Sequence, residues 1–340
     1  MLEVADPALR APSCAKKACV RVARNPVRVL PMEEALRLVF LNDRGLRAGW
    51  RLVIFIAIFF CLVLLIAFPL QSIARRQAAT GTLSPGAPIL GDGLMFLVLL
   101  VACWIMSKIE KRPMGLYGLP LQDDAIVSRL AAGYVFWGFI PLTVCLLVLH
   151  LFHAFDFGNL VLHGADIVRW GFAWFVGFML VGFAEEYLLR GYALYTLADG
   201  IGFWPATIIL AVLFGLGHAR NPGETRIGVI ATVVFAIFAS ITLRVTGNLW
   251  LAVGAHAGWD WAQSFFYGVS DSGMKAQGHM LNPAFHGPVW LTGGTVGPEG
   301  SVVTLILWTL MMVIFYFVYR KPRQPALVLE FGGTMPPRAS

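Results

Sequence analysis

Eight apolar runs dominate the chain, at about 51–70, 89–107, 128–152, 168–196, 203–219, 227–245, 248–268 and 301–319. Runs near or above 18 residues match the length of a helix that crosses a bilayer. The expected fold is therefore an all-α, polytopic membrane bundle of about eight transmembrane helices. A large water-soluble helical core is the competing architecture. It fits poorly, because only 13% of the 340 residues are charged and 58% are hydrophobic, against roughly 25% charged in ordinary soluble domains.

An even number of spans places both termini on one side. Arg44, Arg47 and Arg51 precede the first run, Lys108, Lys111 and Arg112 follow the second, and Arg320, Lys321 and Arg323 follow the last. All fall on that side, which the positive-inside rule makes cytoplasmic; Arg75 and Arg76 run against it. The net charge of +7 thus reads as topology, and no nucleic-acid partner is expected. The long basic leader, short cytoplasmic loops and lack of an organelle signal point to a bacterial inner membrane.

Residues 1–50 form a basic cytoplasmic tail, too charged and too long before its first apolar run for a cleavable signal peptide. Within it, 32–41 (MEEALRLVFL) reads either as a short interfacial amphipathic helix or as a solvated leader. Residues 51–320 form the bundle, with a candidate core at 168–268, and 321–340 a disordered cytoplasmic tail. The Gly- and Pro-rich stretch 269–300 becomes an external loop. Cys14, Cys19, Cys61, Cys103 and Cys145 lie in the tail or in apolar runs, so they read as plain thiols rather than a disulfide framework or metal site. No internal repeat is visible, which weakens a repeat-built transporter.

Ionised groups at bilayer depth are costly and persist where they pair or work. Three sets interrupt the apolar runs: Glu185, Glu186 and Arg190; His218; and His256 with Asp260. Around a hairpin turn at Asp199 and Gly200, Glu185 lies about 22 Å back along one helix and His218 about 27 Å along the next. A turn protruding from the apolar slab brings His256 to the same level, so three helices would surround one buried cavity open toward the cytoplasm. Glu186 and Arg190 are spaced i,i+4 and suit a structural ion pair. Glu185 is turned about 100° from Glu186 and stays free to hold something else. His256 and Asp260 are again i,i+4; the carboxylate would orient or charge the imidazole, or both would point at one ligand.

EEYLLR (185–190), FGLGH (214–218) and HAGWD (256–260) resemble the EExxxR, FxxxH and HxxxN motifs of the CAAX-processing and bacteriocin-processing (CPBP, or Abi) family of intramembrane endopeptidases. That family is related to, and includes, the CAAX prenyl endopeptidases, and its fold also has eight spans. The resemblance implies a metal-free mechanism with Glu185, His218, His256 and Asp260 as catalytic residues and Glu186 and Arg190 as support. Glu185 and His218 would hold and deprotonate a water, and His256, with or without Asp260, would stabilise the oxyanion. Asp260 departs from the family's more usual Asn. An ionised carboxylate cannot donate a hydrogen bond, so Asp260 would be protonated, ligate a metal or orient His256.

A zinc version would use His218, His256 and Glu185 or Asp260 as ligands with a water in the fourth position. It lacks an HExxH helix, so no cofactor is the favoured expectation. A second histidine set, His150, His153 and His163 with Asp156, sits at the external end of its run and reads as solvated, as do His279 and His286. The tryptophans, including Trp170, Trp174 and Trp250, read as interfacial or packing residues; Trp259 and Trp261 flank Asp260, and lining a substrate groove is the alternative reading for them. The expected partners are the bilayer and a membrane-anchored peptide or protein. Two other classes compete: a non-catalytic scaffold or bacteriocin-immunity protein of the same fold, and a proton-coupled transporter.

Overall fold

The computed structural model describes residues 31–42, 45–67 and 82–319. The expectations for the two chain ends, and for Arg44, Arg75 and Arg76, lie outside the described residues. Short helix α1 (Met32–Phe40) precedes α2 (Ala48–Leu62), which runs on as a wider turn to Ala67. Then come α3 (Gly86–Glu110), α4 (Ile126–Leu151), α5 (Ala165–Arg190), α6 (Tyr192–Ile201) and α7 (Phe203–His218). The last three are α8 (Arg226–Thr246), α9 (Trp250–Trp261, extended to Phe266) and α10 (Val302–Val318).

Each of the eight apolar runs coincides with helix over most of its described length, and among the described residues five helical stretches are both long and apolar enough to cross a membrane: Ala48–Ile66, Gly86–Glu110, Ile126–Leu151, Ala165–Ile201 and Arg226–Thr246. The difference from eight has a physical reason. α7 and α10 are apolar but shorter. α9 carries His256 and Asp260, and every residue from Trp250 to Asp260 is buried. A helix enclosed by protein has no need of a lipid-compatible surface.

Contacts between loops sort the helix ends into two layers. At one end Arg51 meets Glu110 and Asp199, Arg112 also meets Asp199, and Asn248 donates to Asp123. At the other, β1 (Thr82–Leu83) pairs in parallel with β3 (Lys275–Ala276), and β2 (Phe155–Leu160) pairs antiparallel with β4 (Leu281–Phe285). The fold is mostly helical, as expected, with small β pairs added between its loops. The stretch 269–300 is a folded cap that ties three inter-helix loops together, because an otherwise exposed backbone finds its hydrogen-bond partners in neighbouring loops.

Asp199 and Gly200, expected as a turn protruding from the apolar slab, fall in the last turn of α6, whose residues Tyr192–Thr196 are buried. Tyr192, Leu194 and Tyr195 join the same apolar cluster as Phe55, Leu99, Met106 and Leu210. Trp174 and Trp250 are packing residues, donating through their indole N–H to Gln277 O (2.8 Å) and Pro120 O (3.3 Å).

Candidate active site

Close backbone approach fixes α9 in place. A Cβ at Gly254 would stand 2.2 Å from Leu130 O and one at Gly258 2.1 Å from Tyr134 O, while on α4 Gly133 and Gly138 approach Leu251 O and Ala255 O. Small residues at such spacing let helices pack at backbone distance in a membrane. Gly182 brings α5 against Val253 O in the same way. His256 is thereby held between α5 and α8, with the glutamates of α5 beside it.

The polar contacts follow from this placement. His256 Nδ1 lies 2.8 Å from Glu186 Oε1, and Arg190 Nη1 lies 3.5 Å from the same oxygen. Glu186 and Arg190 are buried, at 0% and 2% exposure. A carboxylate paired with arginine only accepts, so His256 Nδ1 carries the proton and donates. Its other nitrogen, Nε2, faces Glu185 Oε2 at 3.7 Å and Asp260 Oδ2 at 3.5 Å. His218 Nδ1 lies 2.9 Å from Phe214 O, which makes Nδ1 the donor there as well. Its Nε2 is 3.9 Å from Glu185 Oε2. That oxygen is buried and has no hydrogen-bond partner.

Aromatic rings close the apolar side of the cluster. Phe235 meets His256 edge-on at 5.2 Å, Phe214 meets His218 at 4.4 Å, and the Arg190 guanidinium sits 4.7 Å over the Phe214 ring. In low-dielectric surroundings the charged contacts are stronger than they would be in water.

Glu185, His218, His256 and Asp260 all line one cavity of about 380 Å³. Trp259 lines it too, whereas Trp261 is turned away and donates to Gly171 O at 2.8 Å. The sequence reading missed three further carboxylates on this wall: Asp92 from α3, and Asp271 and Glu299 from the cap. Only Asp92 carried a signal in the sequence, as a charge near the start of an apolar run. Ser264 donates to Asp271 at 2.9 Å, while the Ser272 N–H and Gln263 Nε2 donate to Glu299 at 2.7 and 3.3 Å. Asp271 and Glu299 lie outside the spanning helices. Burial pushes the Asp271 carboxyl up to about 6 and that of Glu299 well above its ordinary range. No Lys or Arg lines this cavity among the described residues.

One expectation needs correcting, and the place of Asp260 at His256 can be described. The cavity was expected to open toward the end bearing Asp199; it lies toward the opposite end, walled by Leu83, Asp271, Ser272 and Met274. Asp260 was a candidate to orient His256; Glu186 holds the Nδ1 that such an orienter would take, and Asp260 faces Nε2. The second histidine set lies apart from the cavity, where His286 Nε2 meets Asp156 at 2.9 Å on the exposed β2–β4 ribbon. No group of three or more His, Cys, Asp or Glu arranged to hold a metal occurs among the described residues.

The three motif helices, and the contacts that join them, occupy one continuous stretch of chain. Residues 167–262 match the family Type II CAAX prenyl endopeptidase Rce1-like. The match covers under a third of the 340 residues and agrees with the resemblance read from EEYLLR, FGLGH and HAGWD. No curated protein and no solved structure matches the chain. The Rce1-like stretch begins in α5 and ends at the last turn of α9, so Glu185, Glu186, Arg190, His218, His256 and Asp260 all lie inside it. Asp92, Asp271 and Glu299 lie outside it. With its long apolar helices the chain is an integral membrane protein, and its stretch 167–262 is similar to the Type II CAAX prenyl endopeptidases.

Proposed function

We propose that this protein is an intramembrane endopeptidase that hydrolyses a peptide bond of a membrane-anchored peptide or protein with a water activated by Glu185 and His218. One observation carries the reading: Glu185 Oε2 is buried and unpartnered, and stands within 4 Å of Nε2 of both histidines at the cavity wall. An orphaned buried acceptor with other polar groups at that range is a place for a water. Glu185 Oε2 and the His218 Nε2 lone pair can each accept one of its protons.

In this reading Glu185 takes a proton as the water oxygen bonds to the substrate carbonyl carbon, and the carbonyl π pair moves to oxygen. His256, protonated on both nitrogens, donates Nε2–H to that oxyanion while Glu186 holds its Nδ1–H. The oxyanion collapses, the C–N bond breaks, and Glu185 returns its proton to the leaving amine. Asp260, where the family more often carries Asn, takes part as a neighbour of Nε2 and not as the orienting group.

The cationic clusters near the start of α2 and the end of α3 favour a cytoplasmic location for the end bearing Arg51, Glu110 and Asp199, with both chain termini on that side. The cavity would then lie nearer the outer face of a bacterial inner membrane.

The test is purification in detergent, a bound-metal assay, and a screen of membrane-tethered peptides of varied charge and lipidation. Glu185→Gln and His218→Ala are expected to abolish cleavage by the purified protein while leaving its thermal unfolding unchanged, since both side chains are partly exposed on a cavity wall. Full activity in either variant would sink the assignment. An inactive but correctly folded parent across the whole screen would favour a scaffold or immunity role.

A further inference from the structure

We propose that α1 is a membrane-docking helix that lies in the bilayer interface at the end of the bundle bearing Asp199, with the lipid surface itself covering its apolar face. The spacing i, i+4, i+7, i+8 puts Met32, Leu36, Val39 and Phe40 on one face; Glu34 lies opposite, Arg37 and Glu33 flank it, and the exposed Leu38 shares that side. Met32, Leu36 and Val39 are 77%, 49% and 52% exposed. On the other face, Arg37 and Glu33 form an i,i+4 ion pair at 3.4 Å.

What covers the apolar face follows from how α1 is fastened. Arg47 Nε donates to Leu38 O at 2.9 Å and to Leu41 O at 3.1 Å, satisfying carbonyls at the end of α1. Trp50 Nε1 donates to Val39 O at 3.1 Å, and the Trp50 ring sits 4.7 Å from Phe40. Both Arg47 and Trp50 belong to the start of α2, a candidate membrane span.

Val53 and Ile56, exposed and apolar, begin about 9 Å further along that helix. At the same end, Lys108 lies 5.8 Å over the exposed Trp104 ring, an aromatic and a cation paired as they are at headgroup level. α1 is therefore fastened within about two helical turns of the exposed apolar side chains of α2. An amphipathic helix at that depth gains from burying its face among acyl chains while its charges stay in water.

This inference is independent of whether the cavity hydrolyses peptides. It is tested on the full chain with Cys14, Cys19 and Cys61 changed to Ser and the buried Cys103 and Cys145 kept. An environment-sensitive fluorophore is attached through Leu36→Cys or, separately, Glu34→Cys. The protein is reconstituted one copy per phosphatidylcholine nanodisc, with and without brominated acyl chains.

The expected result is blue-shifted emission from position 36, quenched severalfold more by the brominated lipid than emission from position 34. Adding Val39→Asp should reduce the quenching at position 36. Water-like emission at both positions would overturn the proposal. So would shielding at position 36 without quenching, the sign of a protein covering, or shielding that appears only with two copies per disc, the sign of self-association.

Discussion

Glu186 Oε1 is shared between His256 Nδ1 at 2.8 Å and Arg190 Nη1 at 3.5 Å, so one buried carboxylate both neutralises an arginine and sets the direction of a histidine. An i,i+4 ion pair on α5 thereby becomes part of the proposed chemistry on α9. The two roles separate experimentally. Glu186→Gln leaves Arg190 buried without a counter-ion, at an expected cost of roughly 3 to 5 kcal/mol. Glu186→Gln with Arg190→Met should restore most of the folded yield in detergent but not the cleavage of a tethered reporter, because His256 has lost its carboxylate. Recovered cleavage in the double variant would reduce the pair to a purely structural one.

Asp260→Asn is expected to retain or raise activity with no change in bound metal. Oδ2 of Asp260 faces His256 Nε2 at 3.5 Å on the cavity wall. An amide there can donate to an oxyanion, whereas an ionised carboxylate can only repel it. Zinc bound stoichiometrically by the active parent and lost in the Asn variant would mean that Asp260 is a ligand, and would overturn the metal-free mechanism.

Gly258→Ala should damage folding more than an exposed Gly→Ala change could, since its Cβ would meet the Tyr134 backbone with the O atom at 2.1 Å. Overpacking of this kind costs typically about 1 to 3 kcal/mol, and a backbone obstacle cannot swing aside. Thermal unfolding in detergent measures it. A variant as stable as the parent would show that α4 and α9 do not pack at this distance.

The cap gives a pH signature. Burial raises Asp271 to about 6, above the roughly 3.9 of an unfolded-chain aspartate. Between those values the folded state binds more protons than the unfolded one, so unfolding free energy falls as pH rises across that window. The parent is expected to unfold at a higher temperature at pH 5 than at pH 7, and Asp271→Asn to narrow that gap. Glu299, raised in the same direction, would keep part of it. Equal melting temperatures for the parent at both pH values would contradict the burial of these acids.

Much of this protein was legible in its residues alone. Apolar runs marked the helices because a lipid-facing helix must be apolar along its length, and the five long spans fall where the runs lie. Charged residues inside those runs marked the site because burial makes them expensive, and all of Glu185, Glu186, Arg190, His218, His256 and Asp260 gather at one place. Helical period also put Glu186 and Arg190 on one face, since that relation is local.

Tertiary packing decided the rest. Which nitrogen of His256 meets Glu186, and which meets Asp260, depends on how α5 and α9 rotate against each other, and backbone contact at Gly182, Gly254 and Gly258 sets that rotation. The GxxxG spacing of Gly254 and Gly258 was the one sequence signal for it. The end at which the cavity lies, and the arrival of Asp92, Asp271 and Glu299 on its wall, were set by a cap whose strands pair with segments more than a hundred residues earlier in the chain. Periodicity along a chain describes each helix about its own axis and carries no information about the distance or rotation between two axes; those come from long-range packing.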